Sequence, residues 1–356
     1  MTTRDLLLAG VALGATWSAL ASAQAGESGA TPQRFERAEV HMGTPFRLVF
    51  YADTETLANK AATAAFSRVA ELNGSLSDYL PESELSRLGA ASPTPEPLAV
   101  GDDLWRVLRH AQRLARATDG AFDVTVGPYS RLWRRARRRR AVPESELLEQ
   151  AAAAVGYEKL RLHECRQSVS LLAERMRLDL GGIAKGYAAD EALAVLRKHG
   201  ITAALVDAGG DVVAGAPPPG RATWHVAIAE VVEADEEQAT PTPQLLLEDA
   251  AVATSGDLYQ YLEVDGRRYS HIIDPRTGLG LPGPSSVTVI APDGITADSL
   301  ASAVSVLGAE RGLELVRQTP RAACRFVWID EEDRTQARAT DNFAQYLQQT
   351  TTTIAK

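Results

Sequence analysis

The sequence predicts a protein that mixes strands and helices, and three stretches predict it. Residues 178–210 read as strand end, glycine turn, helix, strand and second glycine turn, with Ile183, Tyr187, Ala188, Leu193, Val195 and Leu196 as the apolar helix positions. Residues 259–264 and 267–273 flank Asp265-Gly266, a pair that readily takes the positive φ angles of a two-residue hairpin turn. Residues 102–118 place Leu104, Val107, Leu108, Ala111, Leu114 and Ala115 on one helical face.

The other elements follow in order. Residues 35–51 alternate as a strand pair that bends at Met42-Gly43-Thr44-Pro45, with Phe46, Leu48 and Phe50 on one face. Residues 54–76 carry Ala and Leu at helical spacing, and a loop at 77–83 leads into a short turn. Residues 121–128 read as an extended segment closed by Gly127-Pro128. The run LWRRARRRR at 132–140 reads as a solvated helical face, with Glu144, Glu146 and Glu149 available to pair with it. A helix resumes at 143–155, with Pro143 at its start, where a missing N–H is tolerated. Two short strands lie within 160–177, around 164–167. In the central stretch, Gly200 sits just past Arg197 and Lys198, the place for a left-handed helix cap. Strands follow at 223–229, 245–254, 286–291 and 323–330, with an acidic, proline-broken loop at 230–243 and a helix at 296–318.

Composition removes several functional classes. With 45% apolar and 23% charged residues the chain is globular in type, and its net charge of −9 argues against nucleic acid as a partner. Cys165 and Cys324 stand in no CxxC pattern, so no thiol–metal site is indicated, and whether they pair stays open. The glycines of the central stretch do not make a P-loop, because Lys185 lies between Ala184 and Gly186; nor do Gly181, Gly182 and Gly186 fit the dinucleotide fingerprint. A helix N-terminus after a glycine turn still offers N–H groups to an anion.

The N-terminal segment has one positive charge, Arg4, then an apolar run at 6–21 and the small-x-small pattern Ala21-Ser22-Ala23. The expectation is a cleaved secretory signal at 1–23, a linker at 24–34, one domain at 35–335 and a polar tail at 336–356. The apolar run is short and glycine-broken for a membrane anchor.

Three sets of residues are candidates for chemistry. Asp298 and Ser302, four apart on one helix, offer a carboxylate and a hydroxyl to a hard ion such as Mg²⁺; the competing reading is that Asp298 only favours the helix start. His271 shares a strand face with Tyr269 and Ile273 and is either structural or catalytic. Asp123 and Asp179 sit among apolar residues, where a carboxylate needs a partner, a ligand or a capping role.

Eight motifs bind these pieces together: Met42-Gly43-Thr44; Asp78-Tyr79 with Ser83-Glu84-Leu85-Ser86-Arg87; residues 119–128 (DGAFDVTVGP); residues 178–188 (LDLGGIAKGYA); Gly209-Gly210-Asp211; Ala253-Thr254-Ser255-Gly256-Asp257; residues 269–278 (YSHIIDPRTG); and residues 297–303 (ADSLASA). In content and order they resemble the ApbE family of FAD:protein FMN transferases, over about residues 39–330. The resemblance implies an α+β flavin-binding fold with mixed or antiparallel sheets flanked by helices. It implies Mg²⁺-dependent transfer of FMN from FAD to a Thr or Ser hydroxyl of a target flavoprotein, with AMP released. By the same resemblance Met42, Tyr79, Ala121, Phe122, Asp123, Asp179 and Lys185 would contact FAD. The Gly182 carbonyl, Asp298 and Ser302 would hold the metal, and His271 would lie beside the pyrophosphate as the base. Two alternatives stay open: an FAD pyrophosphatase on the same site, and a non-catalytic flavin-binding protein. With the signal, the implied setting is periplasmic or otherwise extracytoplasmic. Two departures stand out: the metal-site hydroxyl, often Thr in the family, is Ser302, and a usual glycine-aromatic run is replaced by residues 134–140, which either grip an acidic target or are simply solvated.

Overall fold

The computed structural model describes residues 31–228, 243–257, 261–330 and 332–348. The expected signal, most of the expected linker, most of the 230–243 loop and the last eight residues lie outside them. The alternating pattern of the first strand pair builds the edge of an eight-stranded sheet. Its strands run, in chain order across the sheet, Gln33–His41, Thr44–Ala52, Ala204–Ala208, Val212–Ala214, Ala250–Gly256, Ser285–Ala291, Ala323–Ile329 and Thr335–Ala339. Each neighbouring pair is antiparallel, so the sheet is antiparallel rather than mixed.

Period-two alternation sends side chains into two cores, one on each face. Phe46, Leu48 and Phe50 enter the larger core together with Val206, Ala253, Val287 and Val289. Val49, Leu205, Val252 and Ile290 point the other way, onto Trp224, Leu245, Leu247 and Phe343. The larger core is roofed by helices α1 (Glu55–Leu76), α2 (Glu84–Ala90), α3 (Asp102–Ala117), α6 (Ala184–Lys198) and α7 (Gly294–Arg317), with α6 packed against both α1 and α7, while α4 (Gly127–Arg139) and α5 (Ser145–Ala152) pack against each other to one side. Alanines make that approach possible: Ala58, Ala61, Ala62 and Ala65 on α1 and Ala188, Ala189 and Ala192 on α6 are all buried. Where α6 meets α7 even a methyl is excluded, since a Cβ on Gly186 would lie 2.1 Å from the Gly294 carbonyl oxygen.

Helix starts follow their caps. Thr54 accepts from the Leu57 N–H at 3.2 Å to open α1, and Asp293 accepts from Thr296 at 3.0 Å to open α7. Asp190, on α6, also reaches the start of α7, accepting from Gly294 at 2.7 Å and Ile295 at 2.9 Å. Gly200 takes φ +81° past the end of α6, as expected of the cap.

Four expectations are corrected. Gly127-Pro128 does not close an extended segment: a 3₁₀ turn at Val124–Val126 runs straight into α4, where proline occupies the first turn and its missing N–H costs nothing. The segment around Asp179 is not a strand; its N–H goes to the Val124 carbonyl at 2.8 Å, outside any sheet. The expected linker through residue 34 overlaps the first strand, which starts at Gln33. The polar tail expected from 336 is instead part of the fold, because Thr335–Ala339 pairs with Ala323–Ile329 and Phe343 is buried in the second core. Polar outer faces are what an edge strand shows, so the composition of this stretch hid its pairing. Cys165 is exposed, Cys324 buried, and both are free.

Phe343→Ala should therefore lower stability by about 3–5 kcal/mol, as for a buried aromatic side chain, measured by urea denaturation. A frayed tail would leave the midpoint where it was.

Candidate functional site

The site grows from the turn before α6. Asp179 accepts from the Gly181 N–H at 2.9 Å, which folds the chain tightly into Gly181-Gly182. Gly182 then lies so close to α7 that a Cβ there would stand 2.5 Å from Ser302 Oγ and 3.7 Å from the Phe122 ring. One turn on, the Gly186 N–H donates to Asp298 Oδ2 at 3.0 Å. The i, i+4 spacing of Asp298 and Ser302 thus puts both oxygens against the same glycine turn. All three expected metal residues are brought together.

Lys185, between those glycines, forms an ion pair with Asp211. Asp211 is buried at the end of the second glycine turn, Gly209-Gly210, which the Asp207 carboxylate closes by accepting from Gly210 at 2.9 Å. Burial, and next the charge of Asp211, push Asp298 up to about 7, although Lys185 and the Gly186 N–H work the other way. Burial opposes the Lys185 ammonium, yet Asp211 and Asp298 outweigh it and hold its pKa above that of an ordinary lysine. Two carboxylates therefore share one lysine. Asp211 is absent from the residues chosen on sequence, although its Gly-Gly-Asp motif was in plain view.

The remaining expected residues frame this cluster. Met42 takes φ +49° in the turn between the first two strands and packs on the larger core. That turn adjoins the second glycine turn: a Cβ on Gly209 would meet Thr44 Oγ1 at 2.0 Å. Ala121 and Phe122 are buried, the latter with its N–H on Thr118 Oγ1 at 3.1 Å. Asp123 is engaged in capping, accepting from the Thr125 N–H at 2.8 Å and hydroxyl at 2.7 Å, while burial raises its pKa. Tyr79 is 71% exposed, with one face covered.

What covers it is Arg134, a residue that sequence reasoning left among the solvated arginines. Its guanidinium lies 4.1 Å from the centre of the Tyr79 ring, donates to Asp179 Oδ2 at 3.0 Å and pairs with Asp78. Burial, and next Asp179, raise the Asp78 pKa against this cation. Among the described residues, Glu144, Glu146 and Glu149, though available, pair with none of the arginines.

His271 lies on Arg267–Ile273, half-buried, in the hairpin whose Asp265 and Gly266 take φ +52° and +71° as expected. The hairpin is pinned at both ends. Asp257 accepts from Arg268 at 3.0 Å and from the Ser285 N–H at 2.9 Å, and the Trp133 indole on α4 donates to the Gly278 carbonyl at 2.8 Å. Its strand also packs against α7, the helix that carries Asp298 and Ser302. Two hollows, about 590 Å³ beside Tyr157 and His163 and about 340 Å³ beside Tyr51 and Trp224, are lined by none of these residues. The buried carboxylates, not these two hollows, mark the site.

Known proteins share this arrangement of sheet and helices. The flavin transferase ApbE from Vibrio cholerae superposes with a TM-score of 0.78 at 32% identity, over 89% of this chain and all of that one. The apo flavinyl transferase ApbE of Pseudomonas stutzeri gives 0.75 at 28%, over 88% and 97%. A protein of Treponema pallidum named FAD:protein FMN transferase is 31% identical over 324 residues, 87% of this chain and 88% of its own. Another of that name, from Vibrio cholerae, is 34% identical over 296 residues, 82% and 86% respectively. The fold is that of the flavin transferases. The ApbE family model matches residues 42–326, and the chain belongs to the ApbE family.

Arg134→Leu should destabilise the protein by about 2 kcal/mol near neutral pH, because it strands two carboxylates beside each other. Urea denaturation should show the cost shrinking in acid, where Asp78, its pKa raised chiefly by burial, takes up a proton.

Proposed function

We propose that the chain transfers the FMN part of FAD to a Ser or Thr hydroxyl of a target flavoprotein, with Mg²⁺ bound and AMP released, and that it acts outside the cytoplasm. The observation that carries the reading is the buried pair Asp211 and Asp298, held on a glycine turn where, among the described residues, Lys185 is the cation that offsets their charge. The extracytoplasmic setting is inferred from the N-terminal sequence alone.

The donor set fits a hard dication. Asp298 and Ser302 supply oxygen, the Gly182 backbone lies against Ser302, and a carboxylate pushed up to about 7 is one that a nearby positive charge would restore to its ionised form. Bound there, Mg²⁺ would neutralise charge on the phosphates during transfer. The protein's own work is positional. Lys185 holds Asp211 in place, and the face of Tyr79 that Arg134 leaves open would, with Phe122, line the place of a flavin ring. His271 takes the proton of the acceptor hydroxyl as its oxygen bonds to the FMN phosphorus; the bridging P–O bond breaks, and AMP leaves with that oxygen.

Incubation with FAD, Mg²⁺ and a flavoprotein domain should give a fluorescent protein band and AMP in equal amounts, and Asp298→Ala should abolish both. AMP without a labelled band would mean hydrolysis, and neither product would mean a flavin carrier.

The acidity of Asp298 gives a second check. Its folded pKa is raised above the unfolded value of 3.8, so the metal-free fold binds the extra proton and loses stability as pH climbs from about 4 to about 7. Without metal, Tm should fall from about pH 5.5 to about pH 8. Roughly 10 mM Mg²⁺ should raise Tm more at the higher pH, and Asp298→Asn should remove that difference.

A further inference from the structure

The arginines of α4 face two ways. Arg134 turns inward to Asp78 and Asp179, whereas Arg131, Arg135, Arg138 and Arg139 are exposed. Arg131, Arg135 and Arg138 stand at i, i+4 and i+7, so they line one face of the helix. Among the described residues none of them, nor Arg137 or Arg140, makes an ion pair within 4.0 Å. Exposed Arg177, two residues before Asp179, joins the same field, and after burial the charge of Arg131 is what lowers its pKa. Like charges at these spacings destabilise a helix, and the acidic chain around them does not relieve it. Cations complement a helix C-terminus, but that effect falls off within the last turn and does not reach Arg131.

We propose that this face docks an acidic segment of the protein acceptor, an inference that rests on the transferase reading. Position and chemistry support it. Trp133, on the opposite side of α4, donates to Gly278 and packs 5.3 Å from Tyr269, so the helix is fixed to the hairpin that carries His271. A protein substrate must approach that hairpin to present its hydroxyl. A negatively charged segment beside the target residue would be drawn in by the arginines at the moment it needs to be oriented. A membrane surface fits less well, because the apolar residues Tyr129, Trp133 and Ala136 are all buried in the fold and leave no apolar face to insert.

The test compares the wild type with the triple variant Arg135→Glu, Arg138→Glu, Arg139→Glu, after equal Tm has shown that both fold. The readouts are flavinylation of a flavoprotein domain that the wild type labels, AMP release without acceptor, and anisotropy of a labelled octaglutamate peptide. The reversal should lower kcat/KM for the acceptor about tenfold or more at low ionic strength, through KM. It should leave KM for FAD and acceptor-free AMP release unchanged, and the difference should vanish at roughly 0.5 M salt. Octaglutamate should bind the wild type and not the variant. Equal acceptor KM in both proteins overturns the proposal. So does loss of binding to phosphatidylglycerol vesicles with flavinylation intact, which would assign the face to lipid. Should the wild type label no acceptor, the transferase reading fails by itself, and equal octaglutamate binding by the two proteins would still overturn the docking face.

Discussion

The molecule is organised around a shortage of positive charge at one buried point. Asp211 and Asp298 are 87 residues apart in sequence and meet beside Lys185. A buried carboxylate pair is costly unless something compensates it. Here the compensation inside the protein is partial: Lys185 is tied to Asp211, and Asp298 has one backbone N–H. The glycine turns are the geometric expression of the same constraint. Gly182 and Gly186 let the start of α6 press onto α7 until these groups share one small volume, and neither position has room for a side chain. Asp190 adds a third carboxylate nearby, pushed up to about 7 chiefly by burial, and it fastens the first N–H groups of α7 to α6. The two helices are thus locked at the level where the site lies.

Around that point the eight motifs act as a chain of braces. Thr44 touches the Gly209 turn, Asp179 ties the Val124 carbonyl to Gly181, and Asp257 anchors the hairpin through Arg268 and Ser285. Several residues that look like ligand contacts in the sequence also have structural tasks. Asp123 closes its own turn through Thr125, whose hydroxyl in turn accepts from the Gly156 N–H at 2.8 Å. Tyr79 is positioned by a guanidinium stacked on its ring, a contact worth about 1 kcal/mol in partly exposed settings.

Much of this was legible in the sequence, for identifiable reasons. The hairpin about Asp265-Gly266 was clear because its turn chemistry is local, and α3 because six apolar positions repeat at helical spacing. Asp298 and Ser302 could be paired because i, i+4 geometry needs no knowledge of the rest of the fold. What failed was non-local. Gly127-Pro128 reads equally as a stop or as the first turn of a helix, and only the packing of Tyr129 and Trp133 decides it. Arg134 has the same neighbours in sequence as the exposed arginines; its inward direction comes from Asp78 and Asp179, each tens of residues away. The pairing of Thr335–Ala339 was hidden because an edge strand keeps a polar face.

The order of strands in the central sheet has a bearing on how the chain acquires its shape. Thr44–Ala52 and Ala204–Ala208 are neighbours in the sheet, yet α1 to α6 lie between them in sequence. Closing so long an excursion carries an entropic cost that grows only slowly with length, but the search for the right register is slow. The Asp211 turn follows that closure directly, and the helix bearing Asp298 comes some eighty residues later. During synthesis Tyr79 and Phe122 emerge well before Asp298 and Ser302. The nascent protein therefore completes the contact between α6 and α7 only near the end of translation.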